Sequence, residues 1–174
     1  MKPISSNFAT ELKAAGLLGL PFTWSPQGEL ELSALTPVQR DAVLAVVAAH
    51  DPLIGVKNDR CAAVNAKRDA LQLSGFPFSG KWIDSHGNAV LRINVAVQAA
   101  IAAKVAGVPF AVSWTCADNS EMPLNADAML AMNAALAAHG AAIHNAARGH
   151  KQAIGALTTA EAVQAYNIEA GWPV

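Results

Sequence analysis

The chain has 174 residues, a formal net charge of -1 and 14% charged residues, against roughly 25% in an ordinary soluble domain. It carries no basic run and no Arg/Lys stripe with interleaved aromatics, so nucleic acid is excluded as an expected partner. Cys61 and Cys116 lie far apart and form no CxxC, so no disulfide framework or thiol-based metal site is expected, and a chain of this length needs neither as a staple.

Hydrophobic residues reach 53%, but many are alanine, which favours helix without exposing much apolar area. Two readings of the low charge stand side by side: an alanine-rich genome, or a surface partly covered by partners in an assembly. The N-terminal stretch MKPISSNFATELK has no apolar core of signal-peptide length. The longest weakly charged stretch, Ile93–Val112, is interrupted by Lys104, Gly107 and Pro109, so no membrane insertion is expected. The expectation is a soluble protein made in the cytoplasm.

In chain order, residues 5–19 predict a short helix capped by Ser5 or Ser6, with Phe8, Leu12 and Ala15 on one face. Phe22–Trp24 and Glu29–Leu32 alternate in polarity around the turn Ser25-Pro-Gln-Gly28, which predicts a β-hairpin. Thr36, Pro37 and Gln39 make a capping box with proline at the first helical position, so a helix should run to about His50. Asp51-Pro52 stops it, and residues 51–58 are expected to be a linker. A weakly apolar helix is expected over Asn58–Leu73.

Ser74–Gly80, SGFPFSG, cannot be helical and introduces an extended segment, Lys81–Asp84, then the turn Ser85-His-Gly87. Asn88 can cap a long helix, Ala89–Ala106, with Ile93, Val97, Ile101 and Val105 as one apolar stripe. Val108–Thr115 is the best strand pattern in the chain, and Glu121–Leu124 can pair back on it after the Asp118-Asn-Ser120 turn. Asn125 caps a helix to about Arg148, weakened or kinked at Gly140. Thr158-Thr-Ala-Glu161 is a further capping box for a helix to about Ile168. The expected fold is α+β and mostly helical: a small antiparallel sheet packed on long helices, with a helix–hairpin–helix unit at 1–50, the 51–58 linker and the main domain at 59–174.

Candidate chemistry is sparse. His139, His144 and His150 are spaced by five and six, not the three or four that place two metal ligands on one helix face. No acid lies among them, so no metal is expected. His50 falls in the last turn of its helix, where a cation complements the dipole. There is no GxSxG, no Walker loop and no GxGxxG, so no cofactor is expected. Asp84, Asp118 and Glu121 are the acids nearest the candidate sheet; a carboxylate pair is one reading, and turn capping explains Asp118 and Asp84 equally well. The remaining signal is aromatic. Trp82 and Trp114 are expected mainly as core between sheet and helices, and as partner anchors if exposed. Trp172 docks on the C-terminal helix or marks an interface. The edge of the small sheet, at Val108, Phe110 and Val112, could accept a strand from a partner.

The order Asn65-Ala-Lys-Arg-Asp69, Gly75-Phe76, Phe78-Ser-Gly80, Trp82-Ile-Asp-Ser85, Arg92-Ile-Asn94, Trp114-Thr-Cys-Ala-Asp-Asn119 and Leu124, closing with His144, Ala147-Arg148, Lys151, Ile154 and Gly171-Trp-Pro173, resembles a domain of unknown function in phage and prophage tail-region proteins, over roughly residues 60–174. The N-terminal part, with Trp24, Leu35-Thr36 and His50-Asp-Pro52, is more loosely similar to small proteins encoded beside tail-fibre genes. His86-Gly-Asn88 departs from the family's more acidic or small-residue turn. The resemblance implies a non-enzymatic role in a bacteriophage tail. The partner would be a fibre, baseplate or tail-tip protein, and the final location the virion tail. A fibre-assembly chaperone and a module that binds a host surface receptor are the alternatives, and an oligomer or multi-protein assembly is expected. No catalytic residue carries over.

Overall fold

A computed structural model describes residues 2–173; Met1 and Val174, the outer limits of the expected boundaries, lie outside the described residues. The chain is α+β and mostly helical. Its elements are α1 (Phe8–Ala14), β1 (Thr23–Trp24), β2 (Leu30–Glu31), α2 (Pro37–Ala49), α3 (Pro52–Leu73), β3 (Phe76–Phe78), β4 (Lys81–Ile83), α4 (Gly87–Ala106), β5 (Ala111–Thr115), β6 (Glu121–Asn125), α5 (Ala126–Ala156) and α6 (Ala160–Ala165). The packing divides into two compact units, Met1–Ala63 with Lys151–Asn167 and Val64–His150 with Ile168–Val174. Of the three places where the chain passes from one unit to the other, two fall inside helices α3 and α5, and the third follows α6.

The first unit begins with the predicted hairpin and a helix shorter than the expected 5–19: it runs Phe8–Ala14 behind Asn7 rather than Ser5 or Ser6, and Ala15 is exposed beyond its end. Ile4, Phe8 and Leu12 are buried, with Leu17, Phe22, Leu30, Val46 and Val47 packed around them. Thr36 caps α2 as expected: its side chain accepts the Gln39 N–H while the Gln39 side chain accepts the Thr36 N–H. The expected linker at 51–58 is instead the opening of α3. The Asp51 carboxylate accepts the Leu53 N–H at 3.0 Å, and Pro52 takes the first helical position, where its missing N–H costs nothing. The dipeptide that ends α2 therefore also starts α3. At the other end of this unit Thr159, rather than Thr158, caps α6 by accepting the Ala162 N–H.

The second unit holds two separate two-stranded hairpins, β3–β4 and β5–β6, not the single sheet expected. Lys81–Ile83 pairs with Phe76–Phe78, in the register Phe76 opposite Ile83, because Ser79 and Gly80, both at positive φ, turn the chain straight back. Gly75, at φ +101, leads into β3. Ser85 locks the entry and exit of this hairpin: its hydroxyl accepts the Gly75 N–H at 2.8 Å and donates to the Gln72 carbonyl at 2.6 Å.

The core of this unit consists of Phe76, Ile83, Ile93, Val97, Ala100, Trp114, Cys116, Leu124, Met129 and Met132. Helix α4 starts at Gly87, behind His86 rather than Asn88, and ends at Gly107 in the left-handed region. Helix α5 is capped by Asn125 Oδ1, which accepts the Ala128 N–H at 2.9 Å. It runs unbroken through Gly140 to Ala156, past the expected end at Arg148.

Candidate interaction surface

Strand β5 is positioned by its turn. Cys116 N–H donates to the Ser120 carbonyl, and Asn119 N–H donates to the Cys116 carbonyl, both at 2.9 Å. Asn119 sits at φ 60, so the hairpin closes with a left-handed bulge residue. Asp118 holds that turn through the Ser120 hydroxyl at 2.5 Å and the Ser120 N–H at 2.9 Å. These bonds, with the Lys81 ammonium at 3.1 Å, lower its pKa from 3.8 to about 2.

The same bonds fix the ladder. Hydrogen-bonded and non-bonded pairs alternate along an antiparallel ribbon. With Cys116 bonded to Ser120, Trp114 and Val112 turn their backbone groups toward β6, and Ala111, Ser113 and Thr115 turn theirs to the other edge. Among the described residues no second strand pairs along Ala111–Thr115 on that edge, though just beyond it the Ala117 N–H donates to the Trp82 carbonyl of β4 at 2.9 Å.

Beside the free edge lies a groove of about 520 Å³, floored by α4 and walled by β5. Leu91, Val95 and Ala99 line it from the helix, and Phe110, Val112 and Trp114 from the strand side. Its one charged lining group, the Arg92 guanidinium, stands 5.2 Å from the centre of the Trp114 ring, the geometry of a cation–π contact. A groove of this size and lining suits apolar side chains.

The candidate residues separate here. Phe110 and Val112 line the groove and Trp114 forms its buried end. Val108 is exposed, but neither it nor Phe110 belongs to the strand, which begins at Ala111. Pro109 lacks the N–H a ladder needs, so pairing starts after it. Trp82 is 39% exposed, so it is not a core residue. In β4 the inward place goes to Ile83, and the Trp82 indole lies across Gly75, donating its N–H to the Ser74 carbonyl at 2.7 Å. Trp172 is half-buried; its indole donates to the Ile168 carbonyl at 2.8 Å and its ring centre stands 5.0 Å from that of His150. The aromatic candidates do not form one cluster with the groove.

Residues 55–170 match the family model described as Domain of unknown function (DUF4376). The chain belongs to this family. No curated protein and no solved structure matches the chain. The groove and the β5 edge fall wholly within the DUF4376 region.

Outside that region sits a cluster that sequence reading missed. His50 is buried, with Nδ1 2.6 Å from Glu11 Oε2 and Nε2 3.3 Å from Ser5 Oγ. The order Ser–His–Glu is that of a nucleophile, base and acid. The hydrogen bonds run otherwise. The Ser5 backbone N–H donates to His50 Nε2 at 3.1 Å, and the Ser5 hydroxyl donates to Asn7 Oδ1 at 2.6 Å. The imidazole lone pair is therefore spent on a backbone donor, and the hydroxyl proton points away from it. The cluster joins the start of the chain to the end of α2. The only sequence signal for it was a histidine at a helix end, which is equally a dipole partner on the surface.

The three histidines of α5 have separate partners. His139 meets the Trp82 ring edge-on, His144 pairs with the Gln72 amide, and His150 stacks on Trp172. Among the described residues no group of three or more metal-ligating side chains converges. Helix α4 is long and apolar enough to cross a membrane by length and composition, with 22% of its most apolar window buried.

Proposed function

We propose that this member of the DUF4376 family is a non-enzymatic component of a bacteriophage or prophage tail, a structural or adaptor protein that binds a fibre, baseplate or tail-tip protein. The observation that carries the binding mode is the unpaired β5 edge beside an apolar groove. Backbone groups of Ala111 and Ser113 supply hydrogen bonds to an extended partner segment, while the groove takes apolar side chains of that segment. This is β-augmentation, in which the main chain provides affinity and side-chain pockets provide selection. The tail assignment is supported by the ordered motifs from Asn65 to Pro173 and their resemblance to tail-region proteins. The low charge of the chain agrees with a surface that is covered after assembly.

The test is quantitative mass spectrometry of purified infectious tail particles, comparing the wild type with Ser113→Pro. Proline removes one outward N–H and leaves the backbone pairing with β6 intact; it also removes the Ser113 hydroxyl that donates to Glu121 Oε2 of β6 at 2.7 Å, so Ser113→Ala is the control. The expected result is stoichiometric wild-type protein and Ser113→Ala, and at least about tenfold less of Ser113→Pro at a thermal midpoint matching that of Ser113→Ala, on the scale of one or two lost hydrogen bonds. Absence of the wild-type chain from particles, with co-purification on unassembled fibre protein, would replace the structural role with that of an assembly chaperone. Equal incorporation of Ser113→Pro would reject β-augmentation at this edge.

A further inference from the structure

Arg40, Arg60, Arg68 and Arg148 each donate a hydrogen bond to a carbonyl or amide oxygen. Arg92 differs: among the described residues it donates no hydrogen bond and forms no ion pair. What it meets is the Trp114 ring, with the guanidinium carbon 5.2 Å from the ring centre. A cation–π contact draws on the charge of the guanidinium and spends none of its N–H donors. No carboxylate lines the groove in which Arg92 stands. A cation with unspent donors therefore sits beside a strand edge with unspent backbone groups.

The groove is not uniform along its length. The chain reverses between α4 and β5, and Arg92 meets Trp114. Arg92 and Trp114 thus make a charged end, and Ala99 and Phe110 an apolar one, with Val95 and Val112 between them. An extended segment on the β5 edge bonds to the outward groups of Ala111 and Ser113. Its residues opposite Val112 and Trp114 share the face of those side chains, about 4.5–5.5 Å away. Beyond Thr115 the edge is closed, because the Ala117 N–H is bonded to the Trp82 carbonyl, so the residue opposite Trp114 stands at the end of the pairing. Opposite Val112 and Phe110 the surroundings are apolar. Opposite Trp114 they include the Arg92 donors, which a carboxylate engages in a two-pronged hydrogen bond and which an apolar side chain would cover unpaired.

We infer that the segment taken up by the β5 edge carries an Asp or Glu side chain opposite Trp114, with apolar side chains two and four residues from it, opposite Val112 and Phe110. This specificity rests on the β-augmentation reading of the same edge. An antiparallel segment places the acid first in its sequence and a parallel one places it last.

The experiment sorts a yeast-displayed library of random nonapeptides, held between fixed flanks so that only a side chain can supply the carboxylate. The full chain is the bait, presented on streptavidin tetramers to raise avidity, as wild type, Arg92→Gln, Arg92→Glu, Ser113→Ala and Ser113→Pro, each first matched for circular dichroism. The expected wild-type selection favours Asp or Glu over Lys or Arg at one position by at least about tenfold, the scale of a charge-assisted pair, with apolar residues two and four positions away. Arg92→Gln should keep the apolar positions and lose the acidic preference, and Arg92→Glu should exchange it for Lys or Arg. Apolar spacing without an acidic preference, or the same preference on Arg92→Gln, would overturn the inference and leave β-augmentation standing, provided that Ser113→Pro loses the selected segments and Ser113→Ala keeps them. Segments held equally by Ser113→Pro, or no selected segment on the wild type, would reject the edge reading and the inference together.

Discussion

Trp82 and Trp114 lie on hairpins of the same unit, and the structure treats them in opposite ways. Trp114 is 5% exposed and belongs to the core, whereas Trp82 is 39% exposed and lies over a glycine. Both sit in strands where side chains alternate from face to face. In β4 the buried cross-strand pair is Phe76 with Ile83, which leaves Pro77 and Trp82 on the outer face. In β5 Trp114 and Val112 take the inward phase and Ala111, Ser113 and Thr115 the outward one. An indole in a short strand therefore says little about burial until its neighbours fix the phase.

The largest expected effect breaks the Trp114 side of this comparison. Trp114→Ala removes a buried ring from a core that includes Ile93, Leu124 and Met129 and should cost about 3–5 kcal/mol in chemical denaturation. It should also open the end of the groove. A loss below about 1 kcal/mol would mean that the ring packs no more tightly than an ordinary surface side chain.

The next effect sharpens the Trp82 side. A Cβ on Gly75 would stand 2.2 Å from Trp82 Nε1 and 2.7 Å from the Ile83 carbonyl oxygen, at a backbone φ of +101 that a side chain rarely adopts. Gly75→Ala should therefore cost about 2–4 kcal/mol, combining left-handed strain with overpacking. Trp82→Ala alone should cost only about 1 kcal/mol, for an exposed ring and one hydrogen bond. The double variant should be less destabilised than the sum of the two, because removing the indole relieves one clash and leaves the carbonyl clash in place. Strict additivity would show that the indole does not rest on Gly75 in solution.

Local chemistry made much of the fold legible. The Thr36–Gln39 box, the Asn125 cap and the Asp118-Asn-Ser120 turn each work through contacts within a few residues, so the sequence displays both partners. The same locality explains the error at Asp51-Pro52. Its stop signal for α2 is identical to a start signal for α3, and only the Leu53 N–H on the Asp51 carboxylate tells them apart. The α4 stripe was half legible. A strict i+4 reading of Ile93, Val97, Ile101 and Val105 drifts by about 40° per step, so Ile93 and Val97 are buried but Ile101 and Val105 are exposed. The groove needed Phe110–Trp114 to meet Leu91–Ala99, and the His50 cluster needed Ser5 and Glu11. Such pairings depend on how distant segments pack, which periodicity does not encode.

The smallest expected effect concerns the turn that sets the β5 edge. Asp118 has its pKa lowered to about 2 by the Ser120 hydroxyl first, then the Ser120 N–H and Lys81. A carboxyl more acidic in the folded than in the unfolded chain stabilises the fold fully above its ordinary value of 3.8, and that contribution disappears as pH falls through about 2. Asp118→Asn should lower the thermal midpoint slightly near neutral pH, and the gap from wild type should close as pH falls from about 4 to about 2. The side chain is 57% exposed, so solvent screening keeps the gap small. Lys81, on β4, reaches the same carboxylate. Lys81→Met should then remove only the smaller, salt-sensitive part of the gap, leaving the Ser120 bonds to hold the turn. A gap that stayed constant to pH 2 would locate the effect of Asp118→Asn in turn shape rather than in charge, and would leave the Ala117 N–H to the Trp82 carbonyl as the link between the two hairpins at this point.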